Sequence, residues 1–186
     1  MNVQNISALT GGFVSFSYRD AAGNIYAERA TEMRWIFVDK IIEMDPGKSA
    51  VAVRNFSRSE LFFLDHFPGF PLVPGVLQIE MIAQLGGKCV MAGHPGIMPV
   101  LGSVKSAKFY HKIVPGDQAV IKVEITVRTS FTMAQGRIEV DGNRVSAAEV
   151  ILAHLPAPED LIRKKMAGDG FGDWLQAGGH GSDPVV

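Results

Sequence analysis

"LFFLDHFPGFPLVPGVLQIEMIAQLGGK", residues 61–88, decides how this chain is read. Its second half predicts a helix that begins at Gly75. Val76, Leu77, Ile79, Met81, Ile82, Leu85 and Val90 cover most of the helical wheel, the pattern of a helix buried on nearly every side. Glu80 sits among them, on a stripe with Val76, Leu77, Ala83, Gln84 and Gly87. A carboxylate withdrawn from water loses hydration, which disfavours its charged form. Its pKa is therefore expected to rise, as suits a general acid. The competing reading is a glutamate at the helix edge, paired with a cation such as Lys88 or Arg54. Position alone leaves the two open.

Pro68, Pro71 and Pro74 remove amide donors and fix φ, so residues 67–74 are expected to form a stiff, irregular loop rather than a strand. His66 stands at the head of that loop. A loop histidine is most often an ordinary polar residue, but a rigid frame is what a positioned base requires. The helix start at Gly75 and Val76 adds amides with no intrahelical acceptor, which can stabilise a developing oxyanion. Base, acid and amide donors in one short stretch suit proton abstraction beside a carbonyl, with a leaving group protonated nearby.

Around this segment the pattern is mostly extended. Residues 49–56, 98–111 and 117–129 read as strands. In the third, Ala119, Ile121, Val123, Ile125 and Val127 share one face, with Lys122, Glu124 and Arg128 on the other. Residues 131–140 and 144–155 flank Asp141-Gly142-Asn143, a tight hairpin turn. Residues 34–45 fit a short helix or a strand equally well. Val14, Phe16 and Tyr18 alternate ahead of a turn at residues 20–24, so residues 1–31 are expected to be an N-terminal extension with a β-hairpin. Residues 32–155 then form the main domain, and residues 156–186 a tail with a short helix and a Gly-rich end. One helix among antiparallel strands places the chain in the α+β class.

The chain has 186 residues, 47% hydrophobic and 20% charged, with a net charge of −1; this gives no basic excess to suggest nucleic acid as a partner. Its single cysteine, Cys89, excludes an intrachain disulfide and reads as a small buried hydrophobe. No apolar run is long enough for a membrane span and no secretion signal is evident, so a cytoplasmic protein is expected. His66, His94, His111 and His154 lack the spacing of metal ligands.

The segment "HFPGFPLVPGVLQIEMIAQLGG" resembles the HFPG-x-P-x-x-PGV-x-x-x-E-x-x-AQ signature of the beta-hydroxyacyl-acyl carrier protein dehydratases of fatty-acid synthesis. The likeness extends over roughly residues 36–153. It implies a hot-dog fold, a curved antiparallel sheet wrapped around one long helix. It also implies a homodimer, often assembled as a trimer of dimers, with the histidine of one subunit facing the helix carboxylate of the other across a tunnel. Carried over, these residues are His66 as base and Glu80 as acid. Gly75 supplies the oxyanion amide, and Val76, Phe67, Pro74 and Gln84 line the substrate site. The substrate is a (3R)-hydroxyacyl thioester on the phosphopantetheine arm of an acyl carrier protein; no metal or redox cofactor is implied.

The chain departs from the family pattern in several places. Asp65 precedes the histidine where the family usually has glycine; it either orients His66 or sits in solvent, and solvent is favoured. Met33 replaces the tyrosine linked with gating, and Arg34 a proline, so the gate is not carried over. The N-terminal addition and the tail lie outside the common core, as in a specialised member. Lys105, Lys108 and Lys112, with His111, form either a docking patch for an acidic carrier or an ordinary solvated strand edge; alternation would put Lys108 and Lys112 on one face. The alternatives are a thioesterase of the same fold, against which the His66–Glu80 pairing and proline loop argue, and a non-catalytic acyl-binding protein.

Overall fold

The predicted helix is present as Gly75–Gly93, and strands surround it. The computed structural model describes residues 15–19, 25–29 and 35–157. The chain divides into two units, Met1–Ile36 and Phe37–Val186. In the first, β1 (Ser15–Arg19) pairs antiparallel with β2 (Ile25–Arg29). Met33, Arg34, the expected turn at residues 20–24 and the C-terminal tail from residue 158 lie outside the described residues.

The second unit contains β3 (Lys40–Asp45), β4 (Ser49–Asn55), α1 (Phe62–Asp65), α2 (Gly75–Gly93), β5 (Ile97–Phe109), β6 (Gln118–Val127), β7 (Phe131–Val140) and β8 (Asn143–Pro156). Six strands form one antiparallel sheet in the order β3-β4-β6-β7-β8-β5. The segment that periodicity left open is thus the strand β3 with an extended lead-in. The β7–β8 hairpin turns through Asp141 and Gly142, whose φ angles of 50° and 77° suit a two-residue primed turn. Asn143 pairs with Val140 and opens β8.

The inner face of the sheet explains how the helix is seated. Ala50, Ala52, Ala119, Ala134 and Ala148 are buried there, interleaved with Ile121, Val123, Ile138, Val150 and Leu152. Gly136 goes further: a Cβ there would lie 2.4 Å from Ile82 Cγ2. Gly86 answers from the helix, where a Cβ would meet Ala134 Cβ at 3.2 Å. Small residues on both surfaces let the axis of α2 come close to the sheet. Bulges at Ile41/Glu43, Leu101/Ser103, Val104/Ser106 and Ile138/Glu139 bend and twist the strands around it. Leu77, Met81, Ile82, Leu85, Cys89 and Val90 fill the space between, and burial pushes the Cys89 thiol pKa up.

The helix is nevertheless not buried all round. Val76 is 70% exposed, and Glu80, Gln84, Lys88 and Met91 behind it are only half-buried. The sheet of the same chain packs on one flank, and on this one burial is only partial. Strand β5 is also open: it is the sheet's edge, 13 residues long, with Val100, Leu101 and Val104 exposed.

Candidate active site

The loop before α2 is stiffer than its prolines alone require. Phe67 and Phe70 exchange both backbone hydrogen bonds, at 3.2 and 2.9 Å, around Pro68-Gly69. Proline followed by a glycine at φ 77° is what a type II turn needs at its two central positions. Below this turn the Leu72 amide donates to the His66 carbonyl at 3.1 Å, and the Val73 amide to the Ile113 carbonyl at 2.8 Å. The peptide joining His66 to Phe67 is cis.

His66 is held from two sides. Its ring stacks on Phe67, with centroids 4.3 Å apart. Its Nδ1 lies 3.1 Å from the Leu72 carbonyl oxygen. A carbonyl can only accept, so Nδ1 carries the proton and Nε2 presents its lone pair. Asp65 is exposed and makes no hydrogen bond or ion pair with the ring among the described residues, so the side chain that orients the imidazole is not Asp65. The contact that does so is a backbone carbonyl, which no side-chain pattern announces.

Pro74 caps α2 without a side-chain hydrogen bond. The amides of Leu77 and Gln78 turn back to the Pro74 carbonyl, at 3.1 and 3.3 Å. Those of Gly75 and Val76 find no acceptor among the described residues, as expected of the first amides of a helix. Gly75 is a close-approach position: a Cβ there would lie 2.9 Å from the Phe109 ring. Phe109 therefore joins the site from the end of β5, a neighbour that the sequence pattern did not single out.

Glu80 is held by its own helix. Gln84 donates from Nε2 to Glu80 Oε1 at 2.9 Å, while the Phe37 amide donates to Gln84 Oε1 at 2.9 Å. The backbone amide fixes which end of Gln84 faces the acid, so Gln84 orients the carboxyl as well as standing beside it. Neither cation considered for Glu80 pairs with it among the described residues. Arg54 is engaged instead by Asp39 and by Glu60, the latter at 2.5 Å, between the rings of Phe37 and Phe56.

Within one chain no hydrogen bond or ion pair joins His66 to Glu80 among the described residues. A depression of about 250 Å³, lined by Glu43, Asp45 and Val51, lies on β3 and β4 and contains neither of them. Lys105 and Lys108 are exposed on β5. Lys112 is exposed too, but the strand ends at Phe109, so alternation does not relate it to Lys108. Its ammonium instead lies 4.8 Å from the Phe70 ring centroid, above the proline loop, and Arg144 lies similarly over Tyr110 at 4.9 Å. Among the described residues no helix is long and apolar enough to cross a membrane, and no group of three or more His, Cys, Asp or Glu stands together as metal ligands would.

Residues 30–149 match the family model of the FabA-like domain. The 3-hydroxyacyl-[acyl-carrier-protein] dehydratase FabZ of Clostridium acetobutylicum is 40% identical over 118 residues, covering 62% of this chain and 84% of the relative. That of Ruminiclostridium cellulolyticum is 38% identical over 122 residues, covering 64% and 86%. Among solved structures, a Streptococcus pneumoniae hypothetical thioesterase protein with coenzyme A superposes with a TM-score of 0.51 at 16% identity, covering 63% of this chain and 85% of that one. The Streptococcus mutans protein smu.793, bound to acetyl CoA, gives 0.52 at 11%, covering 69% and 98%. At such identities these two matches establish the fold alone, and it is the hot-dog fold.

Proposed function

The chain belongs to the FabA-like domain family, and from that premise we propose that it is a (3R)-hydroxyacyl-[acyl-carrier-protein] dehydratase with His66 as its base and Glu80 as its acid. The match that carries this reading is the one to the Clostridium acetobutylicum dehydratase, over 84% of that protein's length. His66 Nε2 takes the C2 proton of the thioester; the resulting imidazolium keeps its Nδ1–H on the Leu72 carbonyl. As the enolate forms, negative charge grows on the thioester oxygen and is met by the amides at Gly75 and Val76. Glu80, held by Gln84, gives its proton to the C3 hydroxyl. The C3–O bond breaks, and water and the trans-2-enoyl thioester leave.

The site is completed by a second copy of the chain. Glu80 lies on the flank of α2 that its own sheet leaves open, with Val76 70% exposed at the head of that flank. The 13-residue edge of β5, with exposed apolar side chains, calls for a covering partner. A two-fold dimer brings His66 of one subunit to Glu80 of the other. Phe67, Pro74 and Val76 then line the entrance, and Lys105, Lys108 and Lys112 offer cations to an acidic carrier protein, with Lys112 over the loop that holds His66.

Incubation with a 3-hydroxyacyl thioester on a carrier protein tests the reading. Enoyl absorbance without free thiol is expected. Free thiol without enoyl product would make the chain a thioesterase, and neither product would leave only an acyl-binding protein.

A further inference from the structure

The support of Glu80 does not stop at Gln84. The Phe37 amide that donates to Gln84 Oε1 at 2.9 Å belongs to the extended lead-in to β3. Its direction is set by what ties residues 37–39 down. The buried Phe37 ring lies under the Arg54 guanidinium, whose Cζ is 5.9 Å from the ring centroid. Two residues on, the Asp39 amide donates to the Val53 carbonyl at 2.9 Å. The Asp39 carboxylate accepts from Arg54 Nη1 through one oxygen. Through the other it accepts from the Asn55 amide at 2.8 Å and from Asn55 Nδ2 at 3.2 Å.

Arg54 is itself fixed. It sits on β4, where the register against β6 pairs it with Ala119, and Glu60 holds its Nη2 at 2.5 Å. Its side chain is only 15% exposed, and hydrogen bonds from a guanidinium to a carboxylate are stronger than neutral ones. The contacts form one line: Arg54 to Asp39 and Phe37, the Phe37 amide to Gln84 Oε1, and Gln84 Nε2 to Glu80 Oε1. All of these residues come from one subunit, so the acid brings its support with it whichever subunit supplies the base.

We propose that Arg54 and Asp39 are positioning residues for the acid of the dehydration, a step that rests on the dehydratase reading. Neither touches the substrate. By pinning Phe37 they decide which end of the Gln84 amide faces Glu80. A Gln84 released from the Phe37 amide is free to turn over and present its carbonyl oxygen, an acceptor, to the carboxyl. Glu80 then loses the donor that holds it toward the C3 hydroxyl.

The test is a double-mutant cycle on the full chain, with dehydration of a 3-hydroxyacyl carrier thioester as the assay. Asp39→Ala leaves Arg54 paired with Glu60, so no buried charge is stranded. It is expected to lower kcat about 3- to 10-fold, the scale of one hydrogen bond, with KM unchanged. Combined with Gln84→Leu it should add no further loss, because the link it works through is already gone. Losses that multiply, a loss confined to KM, or an unchanged kcat would overturn the proposal and leave Arg54 and Asp39 a purely structural pair. Asp39→Asn makes the same comparison if Asp39→Ala does not fold. The side-chain amide signals of Gln84 in a nitrogen–proton correlation spectrum, assigned by their loss in Gln84→Leu, read the link without turnover. They should shift in Asp39→Ala. Enoyl product with unmoved Gln84 signals refutes this step and leaves the dehydratase reading intact. Moved signals in a chain that yields no enoyl product refute that reading, while the link from Asp39 to Gln84 stands.

Discussion

The two flanks of α2 obey different rules. On the flank against the sheet, Leu77, Met81, Ile82, Leu85 and Cys89 are buried among alanines and glycines of the strands, and the contacts are steric. On the other, Val76, Glu80, Gln84 and Lys88 form a row that the chain's own sheet does not cover, and the contacts described there are polar. A protein that placed Glu80 on the packed flank would bury a charge against alanines. On the other flank its described partner is the Gln84 side chain, and the proposed mechanism has it face the substrate. On the proposed mechanism the packed flank specifies the fold and the other flank the chemistry, and substitutions should separate the two.

The sharpest separation is on the open flank. His66→Ala and Glu80→Gln should each lower the dehydration rate by ~10²- to 10⁴-fold, the usual size of a general acid–base contribution, with the melting temperature little changed. Near-wild-type turnover in either variant would remove that residue from the mechanism. On the packed flank the converse is expected. Leu85→Ala should cost about 2–5 kcal/mol of stability in denaturant titrations. Gly136→Ala, which forces a methyl group onto Ile82, should cost about 1–3 kcal/mol. In both, the activity per folded molecule should be retained.

Smaller effects sharpen the comparison within the open flank. Gln84→Leu removes the donor that steers Glu80, and roughly a 10-fold loss in kcat is expected from one hydrogen bond. A loss in KM alone would assign Gln84 to substrate contact instead. Lys88 should leave a mark on stability against pH. Its pKa is about 8 when folded against 10.5 for an ordinary lysine. Below pH 8 both folded and unfolded chains hold the proton, and the folded state bears the desolvation cost. Between pH 8 and 10.5 the folded state releases the proton first, so the wild type should gain stability relative to Lys88→Met over that interval. A constant difference between the two across that range would contradict the shift.

What could be read in advance follows from the range of the forces involved. The helix, the hairpin at Asp141-Gly142 and the alternation of β6 are local patterns, and each was legible from neighbouring residues. β3 was not, because an apolar run of that length satisfies both periods until its partner β4 decides. His66, Glu80 and the free amides at Gly75 could be named from one stretch. Their supports could not, since they come from distant backbone: the Leu72 carbonyl for His66 and the Phe37 amide for Gln84. The periodicity of α2 also overstated its burial, because an apolar wheel does not show which face the chain's own sheet covers, and Val76 is on a face it leaves exposed.

The central claim, that the base and acid of one site come from different copies of the chain, is tested most directly by mixing two dead proteins. His66→Ala and Glu80→Gln subunits, co-expressed or refolded together in equal amounts, form mixed dimers in which one site of each pair has both groups intact. With random pairing, activity should recover to about a quarter of wild type. Activity that stays at the level of the separate variants would mean that no shared site exists, and His66 and Glu80 would have to be assigned to different tasks.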